Sequence, residues 1–338
     1  MRLSDAWMIF VILALTLYIV LDGYDLGIGV LTLLDRDPGR RREMYSLVAW
    51  TWDGNESWIV LVALTLWAGL PLVTGVALPA LYVVLVPMLW SLIARGVSIE
   101  LIDQHPGWHW LWGRLFGIGS LVAGFCQGAA FGGLVGGFDV RHDTFVGGPF
   151  TFLHHGYAVL TGFTAVALYL FAGCAFVYAR TDGETQRRAG VTGRAATVAL
   201  LVGTAASWLL ASSAGPVLLR PGAGARLPLW LIGAAILLVG LAVTYRSFTR
   251  PLDVRGNWRP VYGALAVYVG GLMVAGGLLY PTLVPPDITV HNAASPHSSL
   301  LFLTIGVGLF IPIILTYQTF GYWVFRGKLA APQEVSAR

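Results

Sequence analysis

Apolar runs of membrane-spanning length, recurring from one end of the chain to the other, constrain this sequence more than any other feature. Crossing bilayer hydrocarbon takes about 20 consecutive, largely apolar residues in a helix. Lipid admits only helices or closed barrels, because every backbone polar group must be satisfied within the protein. Nine segments meet the length requirement: 7–34, 50–70, 76–100, 114–138, 155–179, 195–214, 228–247, 260–280 and 299–325. Buried core helices of a soluble protein cannot absorb so many. Composition agrees, since 57% of the 338 residues are hydrophobic and only 11% are charged, against about a quarter charged in a soluble domain. The expected fold is therefore all-α: a polytopic membrane protein of about nine transmembrane helices, in a single domain over 1–338. Two four-helix bundles, 7–138 and 155–280, followed by a final helix 299–325, are one arrangement that this allows. The second segment is the least clean, because it opens on the polar WTWDGNESW; eight spans follow if it is re-entrant.

The basic residues give an orientation. Arginine and lysine flanking spans collect on the cytoplasmic side. With the N-terminus periplasmic and the C-terminus cytoplasmic, all but four of the 21 basic residues fall inside. The inner groups are Arg36, Arg40, Arg41 and Arg42; Arg95 and Arg114; Arg180, Arg187, Arg188 and Arg194; Arg246, Arg250, Arg255 and Arg259; and Arg326, Lys328 and Arg338. Only Arg2, Arg141, Arg220 and Arg226 remain outside. The net charge of +4 thus reflects loops facing anionic lipid and carries no signal for nucleic acid. The first apolar run continues into DGYDLGIGVLTLL without a small-residue cleavage site, so a retained first span is expected rather than a signal peptide. The connections 139–154, 181–194 and 281–298 read as linkers. Trp108, Trp110 and Trp112 read as interfacial anchors.

Against this background the acidic residues inside spans stand out. Asp22 and Asp25 lie late in the first span, Asp53 and Glu56 at the start of the second, and Glu100 at the end of the third. The topology puts all five toward the cytoplasm, with Arg95 as a candidate partner. Residues three apart are neighbours on a helix, so each acid pair shares a face. Carboxylates among apolar groups resist ionisation, which suits them to exchange protons, and acids inside spans commonly mark ion or proton paths. The competing role is structural: Asp53 can cap a helix, and the others can pair with Arg95. Gly23 and Gly27 form a small-xxx-small pair beside the acids, and Gly124, Gly128, Gly132 and Gly136 repeat every four residues in the fourth segment; both favour close helix approach.

Ligands for a metal or haem are scarce. His105, His109, His142, His154, His155, His291 and His297 lie in or beside connections. Cys126 and Cys174 sit singly in apolar segments and read as core thiols. There is no CxxCH, P-loop or HExxH pattern. By itself the chain is a poor catalyst. Either its chemistry belongs to a partner, or it is a proton- or cation-coupled secondary transporter; a purely structural subunit is a third reading.

DGYDLGIG at 22–29, WDGNESW at 52–58, RGVSIE at 95–100 and HNAASPHSSL leading into PIILTYQTFGYWVFRG together resemble subunit II of the cytochrome bd-type quinol oxidases, including the cyanide-insensitive branch. The resemblance runs from the first span to the last. It implies a multi-pass subunit of the bacterial inner membrane, in a heterodimer that oxidises quinol and reduces dioxygen to water. Haem b, haem d and the quinol-oxidation loop belong to subunit I. Subunit II would bind no cofactor of its own except ubiquinone, and would stabilise the complex. By this resemblance Asp53 and Trp58 match positions associated with a cytoplasmic proton path, to which the residue reading adds Glu56, Glu100 and Asp22. Asp25 matches a position associated with a structural quinone. Trp52, Asn55, Arg95 and the four glycines of the fourth segment are assigned structural roles. Some family members carry glutamine in place of Glu56, which weakens its assignment. The implied partners are subunit I, small single-span subunits, quinone and membrane lipid.

Overall fold

The computed structural model describes residues 2–153, 156–214, 223–249, 257–285 and 287–324. His154, His155, Arg220, Arg250, Arg255, Arg326, Lys328 and Arg338 therefore lie outside the described residues. Ten α-helices form the bundle: α1 (Leu3–Leu34), α2 (Pro38–Val48), α3 (Trp52–Gly69), α4 (Pro71–Leu101), α5 (His109–Gly136), α6 (Tyr157–Arg180), α7 (Gly183–Ala214), α8 (Ala223–Phe248), α9 (Arg259–Leu279) and α10 (His297–Val324). Among the described residues, eight of them are long and apolar enough to cross a membrane. By the length and composition of these helices the bundle is a multi-pass membrane protein.

The second expected span, 50–70, corresponds to α3, which does not reach that standard. It has 18 residues, about 27 Å at the usual rise, and its first turns carry Asp53, Asn55 and Glu56. It nevertheless packs along α1 for the whole of its own length. Trp7, at the start of α1, donates its indole N–H to the Thr65 carbonyl late in α3 at 3.1 Å. Asn55, at the start of α3, reaches Asp25 late in α1. The two helices are therefore antiparallel. A single residue, the fully buried Leu70, separates α3 from α4, where Pro71 occupies the first helical turn and gives up no needed N–H.

Two further differences from the sequence expectation lie on the basic side. Residues 183–194, expected as a linker, are the first three turns of α7. Within the charged run after α1, residues Pro38–Val48 fold as α2, an amphipathic helix that sequence periodicity across a short loop did not reveal. Its N-cap Asp37 accepts from the Arg40 N–H, and Met44, Tyr45, Leu47 and Val48 are buried. On the opposite side the connections carry small hairpins. β1 (Val140–Arg141) pairs with β2 (Thr144–Phe145) through His142 and Asp143, both at positive φ, the geometry of a tight two-residue hairpin turn. β3 (Thr282–Val284) pairs with β4 (Ile288–Thr289).

The core lies where α1 meets α5 and α6. Here glycine decides the spacing. A Cβ on Gly27 would collide with the Tyr169 carbonyl of α6, and one on Gly173 with the backbone of Gly27 and Ile28, so the two helices touch backbone to backbone. Within the α5 stripe, Gly124 faces the Tyr169 ring, and Gly128 and Gly132 face Thr161 and its neighbours in α6. Gly136 has nothing within 4 Å. The free thiols Cys126 and Cys174 are both buried. Trp108 and Trp110 are exposed around the short 3-10 turn Pro106–Trp108.

Candidate functional site

Three helices bring the acids together. The second half of α1 carries Asp22 and Asp25, the first turns of α3 carry Asp53, Asn55 and Glu56, and the last turns of α4 carry Arg95 and Glu100. Because α3 is antiparallel to both neighbours, these three ends converge at one level. Trp52 lies across Gly96 of α4, where a Cβ would strike its ring, and donates to Glu100 Oε1 at 3.2 Å.

Arg95 is the hub. It is 1% exposed, and its Nη2 lies 2.6 Å from Asp22 Oδ1 and 3.1 Å from Glu56 Oε2. Asp22 and Asp25 have no exposed surface. Asp25 Oδ2 accepts from Asn55 Nδ2 at 2.8 Å, and the same amide reaches the Leu21 carbonyl and the Tyr24 hydroxyl. Tyr24 in turn donates to Thr51 at 3.1 Å. The two aspartates are neighbours in sequence spacing yet take different partners, one a guanidinium and the other an amide.

Asp53 and Glu56 also part company. Three residues turn a helix through about 300°, so one side chain can face the interior while the other reaches the rim. Glu56 turns inward to Arg95 with 21% of its side chain exposed, and Asp53 is exposed. Glu100 is exposed as well. Trp58 is buried and donates to Gln318 Oε1 of α10 at 2.7 Å, while Gln318 Nε2 donates to the Gly54 carbonyl at 2.6 Å. Gln318 thus ties the start of α3 to α10. It lies inside the quoted PIILTYQTFGYWVFRG run, and a polar amide in an apolar span was the available signal.

The arrangement has a definite electrostatic character. Asp22 and Glu56 share one guanidinium and Asp25 has an amide partner instead, so full ionisation would leave the largely buried cluster with net negative charge, at a cost of several kcal/mol. Asp22 Oδ2, Asp25 Oδ1, Arg95 Nε and Arg95 Nη1 are buried and find no hydrogen-bond partner among the described residues. Such a cluster suits exchangeable protons and ordered water. Asp25, the position matched to a structural quinone, has no exposed surface, and its Oδ2 accepts from Asn55. Among the described residues no group of three or more His, Cys, Asp or Glu could hold a metal ion.

The family model for "Cytochrome bd terminal oxidase subunit II" matches residues 3–325. The chain is 27% identical to the cytochrome bd-I ubiquinol oxidase subunit 2 of Escherichia coli strain K12, over 96% of this chain and 94% of that protein. It is 26% identical to the cytochrome bd ubiquinol oxidase subunit 2 of Bacillus subtilis strain 168, over 97% of each. The solved bd oxidase of Geobacillus thermodenitrificans contains a chain of the same fold, with a TM-score of 0.78 over 96% of this chain and 99% of that one, at 15% identity. The chain belongs to the cytochrome bd terminal oxidase subunit II family and is an auxiliary subunit of a bd-type quinol oxidase.

Proposed function

We propose that the chain delivers cytoplasmic protons to a haem-bearing subunit I and stabilises it, through the acids gathered around Arg95. One observation carries this reading: an excess of carboxyl groups over cations, fully buried at Asp22 and Asp25, is joined through Arg95 to the partly exposed Glu56, with the exposed Asp53 one turn away on α3. Asp53 and Glu100 form the mouth on the basic, cytoplasmic side. Glu56 hands over to the Asp22–Arg95 pair, and Trp58 holds the mouth in place through Gln318. This reading uses nine crossings, N-terminus periplasmic, with α3 as a short crossing shielded by α1, α4, α10 and the partner. Quinol oxidation, oxygen reduction and haems b and d belong to subunit I; small single-span subunits and lipid complete the assembly. No quinone step is assigned to Asp25.

The test is proton uptake and oxygen consumption by assembled complexes carrying Asp53→Asn or Glu56→Gln, with haem content measured alongside. Removing a group that transfers a proton in the limiting step costs ~10²-fold or more, so about that loss is expected at Glu56, and about tenfold at exposed Asp53, where water can substitute. Wild-type turnover in both variants with haems in place would sink the proton role.

A further inference from the structure

The acids have a second connection to the surface, and the proton reading does not use it. It starts at Thr51, half-buried in the turn between α2 and α3 beside the exposed Trp50. The Tyr24 hydroxyl of α1 donates to Thr51 Oγ1 at 3.1 Å. Asn55 Nδ2 of α3 lies 3.2 Å from that hydroxyl and 2.8 Å from Asp25 Oδ2. Tyr24 is 7% exposed, and its ring stacks on Phe176 of α6 with centroids 4.1 Å apart, which fixes where the hydroxyl can lie. Two hydroxyls and an amide thus join a half-buried threonine to a carboxyl group with no exposed surface.

Chemistry decides whether this line can carry a proton. A relaying group must accept on one side and donate on the other. A hydroxyl does both, but an amide nitrogen only donates. A third neighbour fixes the orientation of the Asn55 amide: Nδ2 also reaches the Leu21 carbonyl at 3.1 Å, and a carbonyl only accepts. Turned over, the amide would set its oxygen against that carbonyl and against Asp25 Oδ2 together. Nδ2 therefore faces both Tyr24 and Asp25 as a donor. The surface side of the line is directed the same way, since Tyr24 donates to Thr51 and Thr51 donates to the Val48 carbonyl. Every bond of the line beyond Asn55 points away from Asp25, and it ends on a group that cannot return a proton.

We propose that Asn55 is a proton barrier, a positioning residue that holds Asp25 while closing the Thr51–Tyr24 line, so that protons reach the acids by way of Glu56. The inference rests on the proton-handling reading of the cluster and deepens it, with one entrance open and one shut. Three acceptors share the two N–H bonds of Nδ2, so the Tyr24 contact can be lost without leaving a donor unmet. A carboxyl group in place of the amide removes the barrier. One of its oxygens takes the Tyr24 proton as the other gives its own to Asp25. Tyr24 is refilled from Thr51 and Thr51 from water, so one proton leaves the solvent for each that reaches Asp25.

The experiment reads proton uptake and oxygen consumption of the assembled oxidase at measured haem content. The variants are Tyr24→Phe, Glu56→Gln, Glu56→Gln/Asn55→Asp, and that double variant with Tyr24→Phe added. Tyr24→Phe alone should turn over like the wild type, because the line it cuts carries no protons. Asn55→Asp should recover about tenfold of the ~10²-fold loss expected in Glu56→Gln, and adding Tyr24→Phe should abolish the recovery. A merely structural role for Asn55 gives no gain from any substitution there. Slowing by Tyr24→Phe alone, no recovery in Glu56→Gln/Asn55→Asp, or a recovery that survives Tyr24→Phe overturns the inference. Wild-type turnover in Glu56→Gln instead removes the Glu56 entrance, and Tyr24→Phe in that background still decides. Slowing there overturns the barrier, and unchanged turnover supports it. Should Asn55→Asp fail to assemble, Asn55→Ser supplies a hydroxyl that both accepts and donates, and the same comparisons apply.

Discussion

At the scale of single residues, Arg95 carries the charge balance of the interior. Replacing one partner of a buried ion pair leaves the other charge uncompensated, at about 3–5 kcal/mol. Arg95→Met should therefore lower the melting temperature of the solubilised complex markedly, and adding Asp22→Asn should restore part of the loss. A single variant that melts like the wild type would mean that the pair contributes nothing. The residues around Arg95 were legible in the sequence because a charge inside an apolar run is anomalous wherever it falls. Gln318 was visible as a polar amide in an apolar span, but its partners Trp58 and Gly54 were not, because a lone amide does not say what faces it. Spacing also misled in part. Asp53 and Glu56 are neighbours on α3, yet one is at the rim and the other faces the guanidinium.

At the scale of elements, contact depends on where side chains are missing. Gly27→Ala would drive a methyl group into the Tyr169 carbonyl and part α1 from α6, at about 1–3 kcal/mol for overpacking. Gly136→Ala meets nothing within 4 Å and gains helix propensity, so it should be neutral or slightly stabilising. Thermal unfolding of the two variants side by side checks this, and equal destabilisation would refute the packing account. The four-residue period in α5 was visible in the sequence, but which glycines carry a neighbour was not, because a period names a face and not its occupant. The corner between α1 and α2 adds a pH dependence. Asp35 receives two hydrogen bonds from Arg40, at 2.6 and 2.7 Å. Partial burial opposes its ionisation, but these bonds, the Asp37 N–H and the Arg40 charge outweigh burial and hold its carboxyl below the usual carboxylate range. A lowered value stabilises the folded corner above the ordinary aspartate range, about 3.9, and that contribution disappears as pH falls through the folded value. Amides of α2 should accordingly lose protection, relative to their intrinsic exchange at each pH, on acidification below about pH 4, and Asp35→Asn should show the reduced protection at all pH. Identical pH profiles for both proteins would exclude Asp35 as the cause.

At the scale of the whole molecule, the open question in the sequence was whether the segment opening on WDGNESW crosses the membrane. Hydropathy cannot answer it, since the polar residues that mark the functional end of α3 are the same ones that spoil its score. The packing supplies a different argument. α3 lies antiparallel to α1 over its full length, from Asn55 at one end to Thr65 and Gly69 at the other. Its far end is closed by Ser295, which donates from its backbone N–H to the Gly69 carbonyl and from its hydroxyl to the Ala68 carbonyl, as a helix terminus ending at a surface requires. A crossing α3 has a consequence that can be counted. Between α2 and the β1–β2 hairpin the chain then crosses three times, with α3, α4 and α5, and the two sites face opposite compartments. If α3 does not cross, only α4 and α5 intervene and both sites face the same compartment. Arg42 and Thr144 are exposed, and the native Cys126 and Cys174 are buried, so single cysteines at those two positions report with little background. An impermeant thiol reagent added to intact right-side-out cells should label Thr144→Cys and leave Arg42→Cys untouched until the membrane is opened. Labelling of both, or of neither, from the same side would return α3 to a re-entrant role and would reverse the side assigned to the acidic mouth relative to one of the two loops.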